Sequence, residues 1–370
     1  MADFLYIHIP FCIKKCLYCD FLSVPYSDRL VEKYIDALCA ELRLKKEHAG
    51  ALQAVYIGGG TPSLLPQESL QKVFRCIRDN FSFSQGVEIT IEANPATLDS
   101  AKIGAAASLG VNRLSVGVQS FRDDELKTLG RVHSAADARS SLELIRQSNI
   151  ENFSIDLMYG IPGQDLSSWR ESLVAAVRFH PAHVSAYELT PEEKTPFYSL
   201  LKSGELEMPV EELILEMYGS AIDYFEEHGY LQYEISNFAR SGFSCRHNLN
   251  YWNRGEYLAV GAGAHSFLHG VRSRNTDNIS DYIDSLCSGI IPESESLRLT
   301  PEESLKETIF LGLRKMEGMR IDQLPEAPDV CRELIEEGFL EIEERRLKLT
   351  RKGLPVSNAV IVKLFQKLGL

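Results

Sequence analysis

The sequence predicts an α/β protein built on a parallel sheet, followed by a smaller helical module. Three observations predict it. Up to about residue 190, short apolar runs rich in β-branched and aromatic residues alternate with amphipathic stretches. Each run carries a polar residue or a glycine at or just beyond its end. From Pro301 onward the pattern changes to helices around one hairpin.

The runs are residues 5–9, 54–57, 87–91, 114–118, 153–157 and 184–187, each of strand length. The stretches at 29–45 and 135–147 read as helices between them. In the first, Leu30, Tyr34, Leu38 and Leu42 recur four apart and mark one helix face. Six such units form a partial barrel, a closed barrel or a doubly wound sheet. The strand ends favour a barrel, whose chemistry gathers at the C-terminal ends of its strands. The ends carry Cys12, Cys16 and Cys19, then Gly58-Gly59-Gly60-Thr61-Pro62, Glu92, Gln119-Ser120, Asp156 and Glu188. Six polar ends in succession point to one shared site.

Beyond residue 190 the alternation stops. A helix is expected at 210–227, then an aromatic, polar stretch at 230–257 and a glycine-rich run ending at His265. Gly289, Pro292 and Pro301 cluster at a boundary. Helices at 302–314 and 328–337, a hairpin at 339–349 and a last helix read as a winged-helix-like module. The expected division is 1–235 for the barrel, 236–298 for a connecting segment and 299–370 for the module.

The formal net charge of −13 argues against a nucleic-acid partner, because phosphate contacts need a basic surface. No basic-then-apolar leader opens the chain, and no apolar run approaches the roughly 18 residues of a membrane helix. A cytoplasmic protein is expected. Of the eight cysteines, Cys39, Cys76, Cys245, Cys287 and Cys331 are scattered and read as inert thiols.

The other three lie in Cys12-Ile13-Lys14-Lys15-Cys16-Leu17-Tyr18-Cys19. Closely spaced thiolates bind zinc or an iron–sulfur cluster. Structural zinc takes four ligands, and no second cysteine or histidine pair completes that set. A cluster held by three cysteines leaves one iron open to a substrate or cofactor. His247, ahead of Tyr251 and Trp252, reads equally as a core histidine or as an axial ligand to haem iron.

The Cys-x3-Cys-x2-Cys spacing resembles the radical S-adenosylmethionine (SAM) superfamily. The wider set of motifs is Tyr6-Ile7-His8-Ile9-Pro10-Phe11-Cys12, Gly58-Gly59-Gly60-Thr61-Pro62-Ser63, Gly117-Val118-Gln119-Ser120-Phe121, Asp156-Leu157-Met158-Tyr159-Gly160-Ile161-Pro162 and His247-Asn248-Leu249-Asn250-Tyr251-Trp252. Together they resemble the oxygen-independent coproporphyrinogen III oxidase family over nearly the whole chain. Cys19-Asp20-Phe21 and the His-Asn-x-x-Tyr-Trp motif look like its haem chaperone branch. The decarboxylating oxidases carry a further cysteine where this chain has Phe21.

The resemblance implies a partial (β/α) barrel of radical SAM type with a C-terminal winged-helix-like module. It implies a 4Fe–4S cluster on Cys12, Cys16 and Cys19. It places SAM against Tyr6, Gly59, Gly60, Thr61, Glu92, Gln119, Arg131 and Asp156, with Arg131 facing the cofactor carboxylate. From sequence alone Arg131 reads as a surface arginine. The cargo would be haem, with His247 as candidate ligand and Cys245 or His265 as substitutes. The partner would be an apo-haemoprotein, with peripheral membrane contact through that recipient. The alternative is an oxidase that decarboxylates coproporphyrinogen III.

Overall fold

A computed structural model describes residues 1–324 and 327–370, with the side chains of 327–329 outside the description. The six apolar runs fall within strands β1 (Ala2–Ile9), β2 (Ala49–Gly59), β3 (Phe83–Ala93), β4 (Arg113–Gln119), β5 (Asn152–Tyr159) and β6 (His183–Glu188). They pair in sequence order, all parallel. Between them run α1 (Asp28–Lys45), α2 (Gln67–Asn80), α3 (Ser100–Ser108), α4 (Ala135–Arg146) and α5 (Leu166–Val177).

Alternation along each strand sorts the side chains. In β1, Leu5, Ile7 and Ile9 are buried in the core with Tyr34, Leu38 and Leu42 of α1. Tyr6 and His8 take the opposite face, inside the barrel. Register then aligns the inner faces. Tyr6 pairs with Tyr56, Tyr56 with Thr90, Glu92 with Ser115, and Gly117 with Asp156. Polar groups far apart in sequence therefore share one interior.

Segments that the sequence pattern left irregular complete the sheet. Asn237–Ala239 pairs antiparallel with β6 and with Leu231–Glu234, and Leu258–Val260 adds in parallel beside β1. The nine strands form an open sheet, with no pairing between its two ends among the described residues, so the barrel is partial. The short helix Arg246–Trp252 lies against the barrel interior: Glu88 of β3 accepts from the backbone N–H of Arg246 at 3.1 Å, and Tyr56 stacks on His247.

A buried polar clasp joins α1 to the segment beyond Leu258. The Glu41 carboxylate, wholly buried, pairs with Lys45 at 2.6 Å. It also accepts from Asn275 at 2.7 Å, Tyr282 at 2.6 Å and the N–H of Gly261 at 2.8 Å. Each acceptor lobe is used, which is what makes a buried carboxylate tolerable.

The C-terminal module contains Pro301–Gly312, Ala327–Glu336, a hairpin of Leu340–Glu343 with Arg346–Leu349, and Ser357–Leu368. Met319–Arg320 adds a third antiparallel strand. This is the winged-helix-like arrangement. No helix among the described residues is long and apolar enough to cross a membrane.

Candidate functional site

At the C-terminal ends of the parallel strands lies a cavity of about 330 Å³. Cys12, Cys16, Cys19, Gly59, Gly60, Thr61, Glu92, Gln119, Arg131 and Asp156 all line it. Residues as far apart in sequence as Cys12 and Glu192 are brought together there.

The cysteine loop is held from several sides. Phe11–Cys12 pairs with Val24–Pro25, Leu17 donates its N–H to Leu129 at 3.1 Å, and Phe197 donates to Leu17 at 3.0 Å. Two side chains reach the thiols. Thr61 Oγ1 donates to Cys12 Sγ at 3.6 Å, and Arg131 Nη1 donates to Cys16 Sγ at 3.4 Å. Burial pushes the Cys19 thiol up to about 11. Among the described residues, no three His, Cys, Asp or Glu side chains converge as a single metal ion requires. All three cysteines line the cavity.

The glycine run sets the approach of β2 to this loop. Gly59 has φ +114°, and a Cβ there would lie 2.5 Å from the His8 ring. A Cβ on Gly60 would lie 2.7 Å from the carbonyl oxygen of Phe11. Only glycine lets the two backbones meet at this distance.

Two carboxylates face the same space. Glu92 accepts from the Tyr56 hydroxyl at 2.8 Å and from the N–H of Gly59 at 3.0 Å. Burial, reinforced by Asp156, raises its pKa to about 7 despite those donors. Asp156 accepts from Ser115 at 3.0 Å and Ser154 at 3.1 Å, and burial raises its pKa too. Gln119 ends β4 at φ 68°, a left-handed conformation unusual outside glycine, and accepts from the Tyr187 hydroxyl at 2.5 Å.

Arg131 is half-buried in the cavity wall rather than solvated at the surface. Its Nη2 donates to the carbonyl of Gly117 at 2.6 Å, and its Nε has no partner. An acidic pair, a guanidinium with a spare donor and an amide match a ligand bearing ammonium, carboxylate and hydroxyl groups. Three thiols lining the same cavity match the donor set of an iron–sulfur cluster.

Tyr6 and His247 stand apart from this cavity. The Tyr6 hydroxyl shares a hydrogen bond with His8 Nδ1 at 3.1 Å, and its ring lies 6.2 Å from that of Tyr56, outside the cavity lining. His247 is 1% exposed. Its ring lies 4.9 Å from that of Tyr56, and its Nε2 shares a hydrogen bond with the Tyr251 hydroxyl at 2.9 Å. The imidazole thus has the packing of a core histidine and offers no open face to a macrocycle. Cys245 is also buried, directed at Glu88 at 3.5 Å, whereas His265 is exposed at the start of its strand.

The radical SAM superfamily model matches residues 6–175, and the HemN C-terminal domain model matches residues 299–356. The chain is 39% identical to the haem chaperone HemW of Bacillus subtilis (strain 168), over 96% of this chain and 97% of that one. This chain belongs to the HemW family of radical SAM proteins. A second HemW, from Lactococcus lactis subsp. lactis (strain IL1403), is 32% identical over 97% of this chain and 96% of its own length. The solved structure of coproporphyrinogen III oxidase (HemN) from Escherichia coli superposes with a TM-score of 0.84, covering 98% of this chain and 90% of that one. At 20% identity that likeness is one of fold.

In this HemW-family chain the strand-end pattern marked Tyr187 but not Tyr56, Ser115 or Ser154, which hold Glu92 and Asp156. A signal was available. Tyr56 is two residues before Gly58, and Ser154 two before Asp156, so each shares the inward face of its strand.

Proposed function

We propose that this chain is a haem chaperone: it binds haem and hands it to an apo-haemoprotein, and it carries a 4Fe–4S cluster and SAM in the cavity at the strand ends. The observation that carries this reading is the likeness, along almost the whole chain, to curated haem chaperones. Phe21 supports it. It lines the same cavity, 61% exposed, where the resembling oxidases carry a cysteine. A phenyl ring cannot relay a proton or a radical as a thiol does.

Cys12, Cys16 and Cys19 would hold the cluster. Gly59, Gly60 and Thr61 would admit SAM close to the backbone. Glu92, Gln119 and Asp156 would take its amino and hydroxyl groups, and Arg131 Nε its carboxylate. Tyr6 would act from outside the lining, through its stack on Tyr56. Such a cluster supplies an open iron for the ligand and one electron at a time; the protein supplies binding and orientation. The working division is a barrel over 1–235, a connecting segment over 236–298 and a module over 299–370. The working location is the cytoplasm, with any membrane contact made through the recipient and no nucleic-acid partner.

The test pairs two assays on the anaerobic, cluster-loaded protein. Haem titration should give saturable binding and transfer to an apo-haemoprotein. Coproporphyrinogen III with SAM and reductant should give no protoporphyrinogen IX. Multiple-turnover decarboxylation, or absence of haem binding, overturns the proposal.

A further inference from the structure

Arg131 occupies an unusual position for an arginine. It is half-buried in the cavity wall, yet no ion pair joins it to a carboxylate among the described residues. Its Nη1 lies 3.4 Å from the Cys16 sulfur. A guanidinium drawn in from solvent needs acceptors, and besides the Gly117 carbonyl the acceptor it touches is a cysteine of the three-thiol loop.

The contact is built rather than incidental. Arg131 donates its backbone N–H to Leu126 at 2.9 Å, and its Nη2 is fixed on the carbonyl of Gly117. The preceding residue is Gly130, at φ +70°. A Cβ there would lie 2.7 Å from Leu17 Cγ, so glycine lets this segment lie flat against the cysteine loop. Leu17, the neighbour of Cys16, donates in turn to Leu129. Backbone and side chain both fix the guanidinium beside Cys16. A second, neutral donor, Thr61 Oγ1, serves Cys12 at 3.6 Å.

We propose that Arg131, assisted by Thr61, sets the reduction potential of the cluster by donating to its ligand sulfurs. This rests on the cluster reading above. Reduction adds one electron to the cluster from an external donor, breaks no bond and increases negative charge on the thiolate sulfurs. A cation and hydrogen bonds at those sulfurs stabilise the reduced form more than the oxidised one, and so raise the potential. The other charged side chains lining this space are Asp20, Glu92, Asp156, Glu188 and Glu192, and Lys14 and Lys15. Glu92 and Asp156 act in the opposite sense, and neither lysine is buried. Arg131 is therefore the cation of the site that is drawn in from solvent. Arg131 is a positioning residue here, and its action on the sulfur is separate from the carboxylate contact assigned to Nε.

The test is a dithionite titration of the reconstituted protein, followed by electron paramagnetic resonance, without SAM so that cofactor binding does not contribute. Arg131→Gln should lower the midpoint potential, Arg131→Lys should lower it less, and Thr61→Val should lower it by a smaller step at full iron content. Lys102→Gln, which removes a cation bound to the carbonyls of Ser63 and Thr97, should leave it unchanged. A cluster-loaded Arg131→Gln with the wild-type potential overturns the proposal. If that variant does not fold, unchanged potentials in both Arg131→Lys and Thr61→Val overturn it equally. A wild type without cluster absorption overturns the cluster reading beneath it.

Discussion

Tyr56 donates its hydroxyl to Glu92 at 2.8 Å, and the same ring stacks on His247 at 4.9 Å. One aromatic side chain thus joins the cavity to the packed interior of the barrel. The hydrogen bond favours the ionised carboxyl, but burial outweighs it and lifts the Glu92 pKa from 4.5 to about 7.

The sign of the consequence follows from proton linkage. The folded protein holds a proton on Glu92 that the unfolded chain releases between pH 4.5 and about 7. That contribution is fully present below pH 4.5 and is lost as pH rises through about 7. Urea midpoints of the ligand-free protein should therefore fall over this interval. Glu92→Gln should flatten the profile and weaken SAM binding, and an unchanged slope in the variant would show that Glu92 does not carry the effect.

The cysteine loop predicts about four irons per chain after anaerobic reconstitution. Cys16→Ala should abolish the iron–sulfur absorption. Cys76→Ala and Cys331→Ala should retain it, because both thiols are buried in the apolar core. Iron analysis and visible absorption of the three variants decide the ligand assignment.

Gly60→Ala should act on both groups at once. Its Cβ would meet the carbonyl and amide of Phe11, the residue before Cys12, at 2.7 and 2.9 Å. The cysteine loop must shift away from β2, so iron content and SAM affinity should fall together. Normal iron content with only SAM binding lost would confine the role of Gly60 to the cofactor side.

Glu41→Ala removes one partner of a buried, fully satisfied ion pair and leaves Lys45 without its countercharge. Breaking such a pair costs about 3–5 kcal/mol. The loss should appear as a lower denaturant midpoint with an unchanged slope, and Glu41→Gln should recover part of it by keeping the acceptor for Tyr282.

That clasp also marks what was legible in the sequence. The six parallel strands could be read because each carries a local signature of short, β-branched and aromatic composition. The cavity could be read in outline because each strand ends in a polar group. Glu41, Lys45, Asn275 and Tyr282 left no such trace: they meet only after α1 packs on a segment more than 200 residues away. Leu231–Glu234 and Asn237–Ala239 were equally hidden, since such short strands are fixed by pairing rather than by composition. For Arg131 the sequence alone favoured a solvated surface residue, because nothing local reveals that Gly117 and Cys16 will surround it.

His247 gives the last prediction. Burial, with Arg113 nearby, lowers its pKa to about 3, so the imidazole is neutral through the working range. Its depressed value contributes stability that is present above the ordinary 6.5 and is lost as pH falls toward 3. The ring packs against Phe4, Tyr6, Tyr56 and Tyr251. His247→Ala should therefore cost about 3 kcal/mol, from a lost stack and a tyrosine hydroxyl left without its partner. His247→Phe should keep the stack and lose less. Haem affinity and the haem absorption spectrum should be the same in folded His247→Phe as in wild type, because the imidazole is not presented to a ligand. A folded His247→Phe protein that no longer binds haem would make His247 the ligand after all, and would require the helix Arg246–Trp252 to leave the barrel when haem arrives.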